Sequence, residues 1–246
     1  MPDNLSAVDW IPPEPGSQRS FPALAALTAY VTWVMSIVFV ISAPSGAGKS
    51  TLVERLRQRD SNLDFATSVT TRPPRDREID GEAYCFVSAD RFKAMIDRDE
   101  LMEWAEVFGH LYGTPRAAVK RAFAKGKDLL LDIDVQGAAL LLKKLPDAVT
   151  IFVLPPSRVA LEQRLRDRCS DDEAAISKRL GEASREVAVC GAYDHIVINE
   201  DVEDAVSQLH GILIAERSRR ANMQPRIAPI LQSFGIQQEQ DPEVNS

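Results

Sequence analysis

Cysteine is scarce in this chain of 246 residues: Cys85, Cys169 and Cys190 are odd in number, far apart and in no C-x-x-C arrangement. Such a set argues against a disulfide framework or a zinc site and suits free thiols in a reducing cytosol. Histidine is equally sparse, and His110, His195 and His210 show no ligand spacing, so all six residues are read as structural or incidental. Basic charge is also in deficit, with 29 Lys and Arg against 36 Asp and Glu, a net charge of −7 and a pI near 5.1. No global field therefore attracts nucleic acid, and any anion must be held by local arginine clusters such as Arg72, Arg75 and Arg77 or Arg164, Arg166 and Arg168. What is not lacking is apolar material. A hydrophobic content of 45% lets a chain of this length bury a sizeable core, as one large domain or two small ones.

A long charge-free run does occur, "FPALAALTAYVTWVMSIVFVI" at 21–41, and it approaches the length of a membrane span. Its last part, however, is the strand expected to feed the loop described next, and a strand inside an α/β sheet cannot also sit in lipid. The remainder is short for a span. A single basic residue, Arg19, precedes it, and no small-residue cleavage site separates it from the strand, so it does not read as a secretory signal. Residues 1–34 are expected to be a disordered extension or the product of an upstream start codon, with the folded domain beginning at Met35.

The stretch "ISAPSGAGKST" at 41–51 carries the main chemical signal. It fits the phosphate-binding loop G-x-x-x-x-G-K-[ST], with Ala43 in place of the first glycine and Gly48, Lys49 and Ser50 intact. The β-branched run "MSIVFVI" before it reads as a buried strand. In "STLVERLRQR" after it, Leu52, Val53 and Leu56 share one helical face. In that setting the backbone N–H groups of Ala43, Pro44, Ser45, Gly46, Ala47 and Gly48, proline excepted, form a nest for phosphate oxygens, and the helix dipole adds positive potential. Lys49 reaches the outer phosphates and Ser50 offers a hydroxyl to Mg²⁺. Ala43 is expected in an ordinary β-region conformation, where a methyl group costs nothing.

Further motifs follow in order: "SVTTRPPR", "DGEAYCFVS", "LMEWAEVFGHLYGT" and "LLLDIDVQG". In this order after a phosphate loop they resemble guanylate kinase, and the similarity runs from about Met35 to Arg217. The resemblance implies transfer of the γ-phosphoryl group of ATP to GMP, or dGMP, giving GDP and ADP. It implies a three-layer α/β core with a parallel sheet, a small mixed GMP-binding insertion at about 67–115 and a helical lid at about 157–190. The Gln- and Pro-rich segment 218–246 shows no sustained periodicity and is expected to be a loose tail, at most partly helical.

Site residues follow from the resemblance and agree with side-chain chemistry. Arg72, Arg75, Tyr84 and Tyr112 are implied at the GMP phosphate, which guanidinium groups can grip in a bidentate manner. Ser68, Glu103 and Thr114 are implied at guanine: a carboxylate accepts from N1–H and the exocyclic amine together, and a hydroxyl donates to O6. Thr114 also reads as a helix N-cap ahead of Pro115. "KDLLLDIDVQG" reads as a buried strand presenting acid at its C-terminal end. Asp132 is then implied near the metal and its waters and Asp134 near the substrate, with their relative weight at the metal left open. Arg168 and Arg179 match the lid arginines that contact phosphate, Arg164 is a third candidate, and Asn199, ending "HIVIN", is implied beside the adenine. Cys169 stands where glycine is common in the bacterial family, at a hinge of the lid.

Phosphoryl transfer of this kind passes through a loose transition state, and catalysis is positioning and charge neutralisation by Lys49, Arg72, Arg168, Arg179 and Mg²⁺. The GMP phosphate is largely ionised at neutral pH, its second pKa being about 6 as for other phosphate monoesters, so no catalytic base is required. Expected partners are GMP and ATP, without nucleic acid or membrane, in the cytoplasm; a homo-oligomer is left open. Two other readings stand beside this one: a phosphopeptide-binding module of similar fold, against which the intact loop weighs, and a kinase acting on a ribose phosphate, against which Glu103 and Thr114 weigh.

Overall fold

The structure is a computed structural model that describes residues 36–74, 78–82, 84–107, 109–168 and 173–236, with Arg168 described by its backbone only. The expectation for residues 1–34 lies outside these, as do Arg75, Arg77, Cys169 and the Arg168 side chain.

Strand β1 (Val38–Ser42) alternates strictly between two cores. Phe39 and Ile41 point to one face of the sheet, and Val38 and Val40 to the other. All are buried, as in a strand covered on both sides. On the first face pack α1 (Lys49–Arg59), through Leu52, Val53 and Leu56, and α7 (Val202–Arg217), through Ala205, Val206, Leu209 and Leu213, with Ile212 half-buried beside them. On the second face pack α3 (Arg116–Ala124), through Ala118, Val119, Ala122 and Phe123, and α4 (Val135–Leu142), through Ala138 and Leu141. The central sheet has the order β2 (Leu63–Phe65), β7 (Asp128–Asp132), β1, β8 (Val149–Leu154), β9 (His195–Ile198), and every pairing is parallel. Parallel strands joined by helices put all strand C-termini on one edge, where α/β proteins build sites.

Between β2 and α3 the chain leaves this core to make a second, four-stranded sheet. Its order is β4 (Tyr84–Phe86), β3 (Ser68–Thr70), β6 (His110–Pro115), β5 (Leu101–Val107), parallel between β3 and β4 and antiparallel elsewhere. Its own small core of Val69, Phe92, Met95 and Leu101 is closed by α2 (Ala89–Asp97), capped by Ser88. Lys144 ties this sheet to the main body by donating to the Met102 carbonyl at 2.6 Å.

Helices α5 (Arg158–Arg168) and α6 (Glu173–Ala188) pack on each other through Leu161, Leu165, Ile176, Leu180 and Ala183, a cluster separate from both sheet cores. A short 3₁₀ turn, Cys190–Ala192, returns the chain to β9. Past Arg217 the chain is more ordered than its composition suggests: α8 (Arg220–Ser233) spans 14 residues with Pro225 and Pro229 inside it and no residue buried. Two of the three histidines take up structural contacts, His195 Nε2 lying 3.0 Å from Glu216 Oε1 and His210 Nε2 3.6 Å from Asp60 Oδ2.

Candidate active site

The phosphate loop connects β1 to α1 at the C-terminal edge of the sheet. Gly48 is the N-cap of α1, with φ 95°, and a Cβ placed there would lie 2.4 Å from the Asn199 amide nitrogen. Backbone conformation and close packing thus both demand glycine. Ala43 is 8% exposed and does not adopt a positive φ; among the described residues Asp99 is the only non-glycine that does. The missing first glycine therefore strains nothing. Pro44 accepts from the Ala47 N–H at 3.0 Å, closing the turn.

Lys49 opens α1 and folds back over the loop. Its ammonium sits 2.5 Å from Asp132 Oδ1 and donates to the Ile133 carbonyl at 3.0 Å. Burial opposes its charge, but Asp132, with help from Asp134, outweighs it and holds the pKa above the ordinary value. Asp132 ends β7, and Asp134, two residues on, caps α4 by accepting from the Gly137 N–H at 2.8 Å. Ser50, in the first turn of α1, is exposed. The acid-ended strand read from the sequence thus places both carboxylates within the field of Lys49.

The residues that the sequence resemblance places at guanine are buried in the smaller sheet. Glu103 on β5 is paired in register with Thr114 on β6, and the Thr114 hydroxyl donates to Glu103 Oε1 at 2.6 Å. Exposure is 4% for Glu103, 0% for Thr114 and 5% for Ser68. Burial pushes the Glu103 carboxyl up to about 7 against the pull of the Thr114 hydrogen bond, and the charge of Asp134 adds to the rise. Glu103 and Asp134 converge at Gly137, where a Cβ would be 3.0 Å from Glu103 Oε2 and 3.0 Å from Asp134 Oδ1. The capping role expected of Thr114 is not found. Pro115 occupies the N-cap of α3, and the Thr114 side chain, one residue back on the strand, faces its cross-strand partner instead.

Arg72 makes a bidentate contact with Glu78, 2.9 Å at each nitrogen, and a third bond of 2.8 Å to the Pro73 carbonyl. Its guanidinium lies 5.4 Å from the Tyr84 ring centroid and 5.5 Å from that of Phe86. Tyr84 meets Tyr112 edge to face at 5.8 Å between centroids. Burial and the nearby Asp132 charge raise the Tyr84 phenol well above its ordinary range, so it stays a hydrogen-bond donor. The structure thus brings Arg72, Tyr84 and Tyr112 together. Glu78, which the sequence reading passed over, stands where an oxyanion would be gripped.

Three groups from other elements contact the loop: Asn199 just after β9, Arg164 on α5 and Glu186 on α6. Asn199 donates to the Ala47 carbonyl at 2.7 Å, and Arg164 on α5 reaches the Asn199 carbonyl at 2.9 Å and the Ala47 carbonyl at 3.4 Å. From α6, Glu186 accepts from the Ser45 N–H at 3.4 Å. Burial pushes its carboxyl up to about 7, with Ser45 and Lys49 pulling down and Asp134 and Glu182 pushing up. Arg179 lies on the same helix, seven residues and two turns earlier, on the same face. That spacing was the one signal in the sequence that could have drawn attention to Glu186. An open cleft of about 290 Å³ lies between α6 and α4, lined by Asp134, Gln136, Glu182, Arg185 and Glu186 among others.

Comparison with known proteins agrees with this arrangement. The family model described as guanylate kinase matches residues 35–216. The guanylate kinase of Koribacter versatilis is 52% identical over 190 residues, covering 76% of this chain and 82% of that protein. That of Escherichia coli K12 is 45% identical over 191 residues, covering 77% and 92%. The crystal structure of guanylate kinase from Anaplasma phagocytophilum superposes with a TM-score of 0.69 at 33% identity, over 82% of this chain and 97% of that one. With an intact phosphate loop, a buried carboxylate–hydroxyl pair on a mixed insertion and a family match spanning most of its length, the chain belongs to the guanylate kinase family.

Proposed function

We infer that the chain is an ATP:GMP phosphotransferase, moving the γ-phosphoryl group of ATP to GMP, and to dGMP, with release of GDP and ADP. The observation that carries this reading is the convergence of the Glu103–Thr114 pair with Asp134 at Gly137, while Asp134 also acts on Lys49 of the phosphate loop. A guanine pocket and a triphosphate site thus share one wall.

Guanine presents N1–H and an exocyclic amine to Glu103, which must be ionised to accept from both. The single Thr114 proton, given to Glu103 in the free protein, is then released to guanine O6. Adenine has an acceptor at N1 and would oppose the carboxylate lone pairs. On the phosphate of GMP, Arg72 exchanges Glu78 for an oxyanion, with Arg75 and the hydroxyls of Tyr84 and Tyr112 at the remaining oxygens; Ser68 serves the base. On the donor side the N–H groups of the loop hold the β-phosphate, Lys49 bridges outward, and Arg164, Arg168 and Arg179 bring positive charge from the lid. Asn199 lines the nucleotide side of the loop.

Mg²⁺ usually keeps several waters and binds through one or two carboxylates together with nucleotide phosphates. The residues fit that habit: Ser50 follows Lys49 in the first turn of α1, and the Asp132 carboxylate lies 2.5 Å from the Lys49 ammonium. These two would hold the ion, and it would supply neutralisation of charge between the transferring and leaving oxygens. No described helix is long and apolar enough to cross a membrane. A cytoplasmic setting suits the free thiols Cys85 and Cys190.

A coupled assay with GMP, dGMP, AMP, UMP and ribose phosphate as acceptors tests the reading. GMP and dGMP turn over, and AMP does so at least about a thousandfold less efficiently, because a site built to hydrogen-bond a group rejects analogues lacking it. Equal efficiency with AMP would remove guanine as the recognised base.

A further inference from the structure

The Glu186 carboxylate, on α6, touches the phosphate loop. It sits on the last turn of α6 and accepts from the Ser45 N–H. Ser45 supplies the first N–H of the loop after Pro44, which has none, and successive N–H groups in such a loop form a concavity suited to an anion. The Ala47 N–H is already used inside the turn, so Ser45 is a donor that the loop keeps for something else. In this structure a carboxylate has taken it.

The placement is electrostatically costly for that carboxylate. It is surrounded by acids on two elements, Asp134 at the start of α4 and Glu182 one turn earlier on α6. Lys49 from α1 and the Ser45 N–H are what hold it. The Glu182 Oε2 atom is itself buried without a hydrogen-bond partner. A polyphosphate arriving at the loop brings further negative charge to the same donors and the same ammonium. Two anions cannot share one N–H, so one must leave.

We propose that Glu186 is an internal competitor for the phosphate site, an acidic latch from α6 that occupies the Ser45 N–H until the polyphosphate of the nucleotide displaces it. This rests on the reading of the loop as the ATP site. Displacement moves the C-terminal part of α6 off the loop, and the same rigid helix carries Arg179 two turns away. Phosphate arrival and the setting of a lid arginine are thereby coupled through one side chain. The latch lowers affinity for the free nucleotide and keeps the loop's donors covered when no nucleotide is present.

Isothermal titration of ADP into the full-length wild type, Glu186→Gln, Glu186→Ala and Glu182→Gln, with adenosine as a second titrant, tests this. Both Glu186 variants are expected to bind ADP about three- to tenfold more tightly, the size that follows from removing one like charge beside a partly screened phosphate. Adenosine, which has no phosphate, should bind all four proteins alike. Glu182→Gln, in the same cleft but off the loop, should tighten ADP by less than about twofold, since its charge is farther from the nest. Unchanged or weaker ADP binding by both Glu186 variants overturns the latch, as does equal tightening by Glu182→Gln, which would mark a general acidic field instead. A parallel change for adenosine would also overturn it, since that reports a reshaped pocket. Melting curves confirm that each variant is folded; should one variant not fold, the other decides. If the wild type itself fails to bind ADP, the reading of the loop fails, and not merely the inference about Glu186.

Discussion

Glu103 carries opposite demands in the free and the bound protein. With its pKa raised from an ordinary 4.5 to about 7, it is partly protonated near neutrality. The native state then holds a proton between these values that the unfolded chain has lost. Its favourable contribution is complete below about 4.5 and lost as pH rises through about 7. Glu103→Gln, neutral throughout, is expected to raise the melting temperature relative to wild type above pH 7.5 and to leave no gain at pH 4.5. A melting series across this range would reject the burial argument if the gain appeared at the acidic end. Base recognition needs the opposite form. Guanosine, which has no phosphate to titrate, should inhibit about tenfold more weakly for each pH unit well below 7, because only the ionised fraction accepts its two protons. Glu103→Ala should lose much of the discrimination against AMP. Ala43 gives a quieter residue-scale case: φ is not positive there, so Ala43→Gly should shift the KM for ATP less than about threefold and cost about 0.4–1 kcal/mol through the looser unfolded chain. A tenfold rise in activity would mean that the natural loop is impaired.

At the scale of elements, the residues proposed for the two phosphates belong to different sheets. Lys49 belongs to the central sheet and its loop, Arg72 to the strand end of the smaller one. Lys49→Ala should abolish turnover with GMP binding nearly intact, whereas Arg72→Ala should chiefly raise the dissociation constant for GMP, by about ten- to a hundredfold for a charge-assisted contact. A titration in which Arg72→Ala held GMP normally while ADP affinity collapsed would reverse the assignment. Which elements could be read in advance follows from how they are stabilised. Strand β1 and helices α1 and α7 bury regular stripes, which periodicity along the chain can reveal. Helix α8 has no fully buried residue and contains two prolines, so no apolar stripe announces it. Thr114 was misplaced as a cap because a Thr-Pro pair ahead of a helix looks alike whether the threonine ends a strand or begins the helix. Glu78 and Glu186 stayed invisible for a further reason: their partners, Arg72 and the Ser45 N–H, are chosen by tertiary packing of charged side chains, for which spacing along the chain carries little information.

Over the whole molecule, stability and chemistry sit at opposite ends of the same strand. β7 begins at Asp128 and ends at Asp132, about 13 Å apart at a rise of about 3.3 Å per residue. The Asp132 end holds Lys49 and the site. At the other end Arg217, the last residue of α7, reaches Asp128 at 2.6 Å and Asp60, the C-cap of α1, at 2.6 Å. Asp128 also accepts from the Ile37 N–H at 2.8 Å, so one guanidinium fastens the ends of two helices to the starts of two strands. Asp60 is 6% exposed and Asp128 1%, and removing their shared partner leaves two buried charges facing each other. Deleting one member of a buried ion pair costs about 3–5 kcal/mol. At about 2–4 °C per kcal/mol for a chain of this size, Arg217→Ala should lower the melting temperature by roughly 6–20 °C. Lysine at the same position cannot span both carboxylates with a planar fork and should recover only part of the loss. Because nothing in this cluster touches the phosphate loop or the guanine pocket, kcat/KM for GMP measured at 25 °C on the folded fraction should stay within about twofold of wild type, the range for changes away from reacting groups. A variant with normal melting but strongly reduced kcat/KM would show that the far end of β7 is coupled to Asp132 through the strand, and that the separation drawn here is wrong.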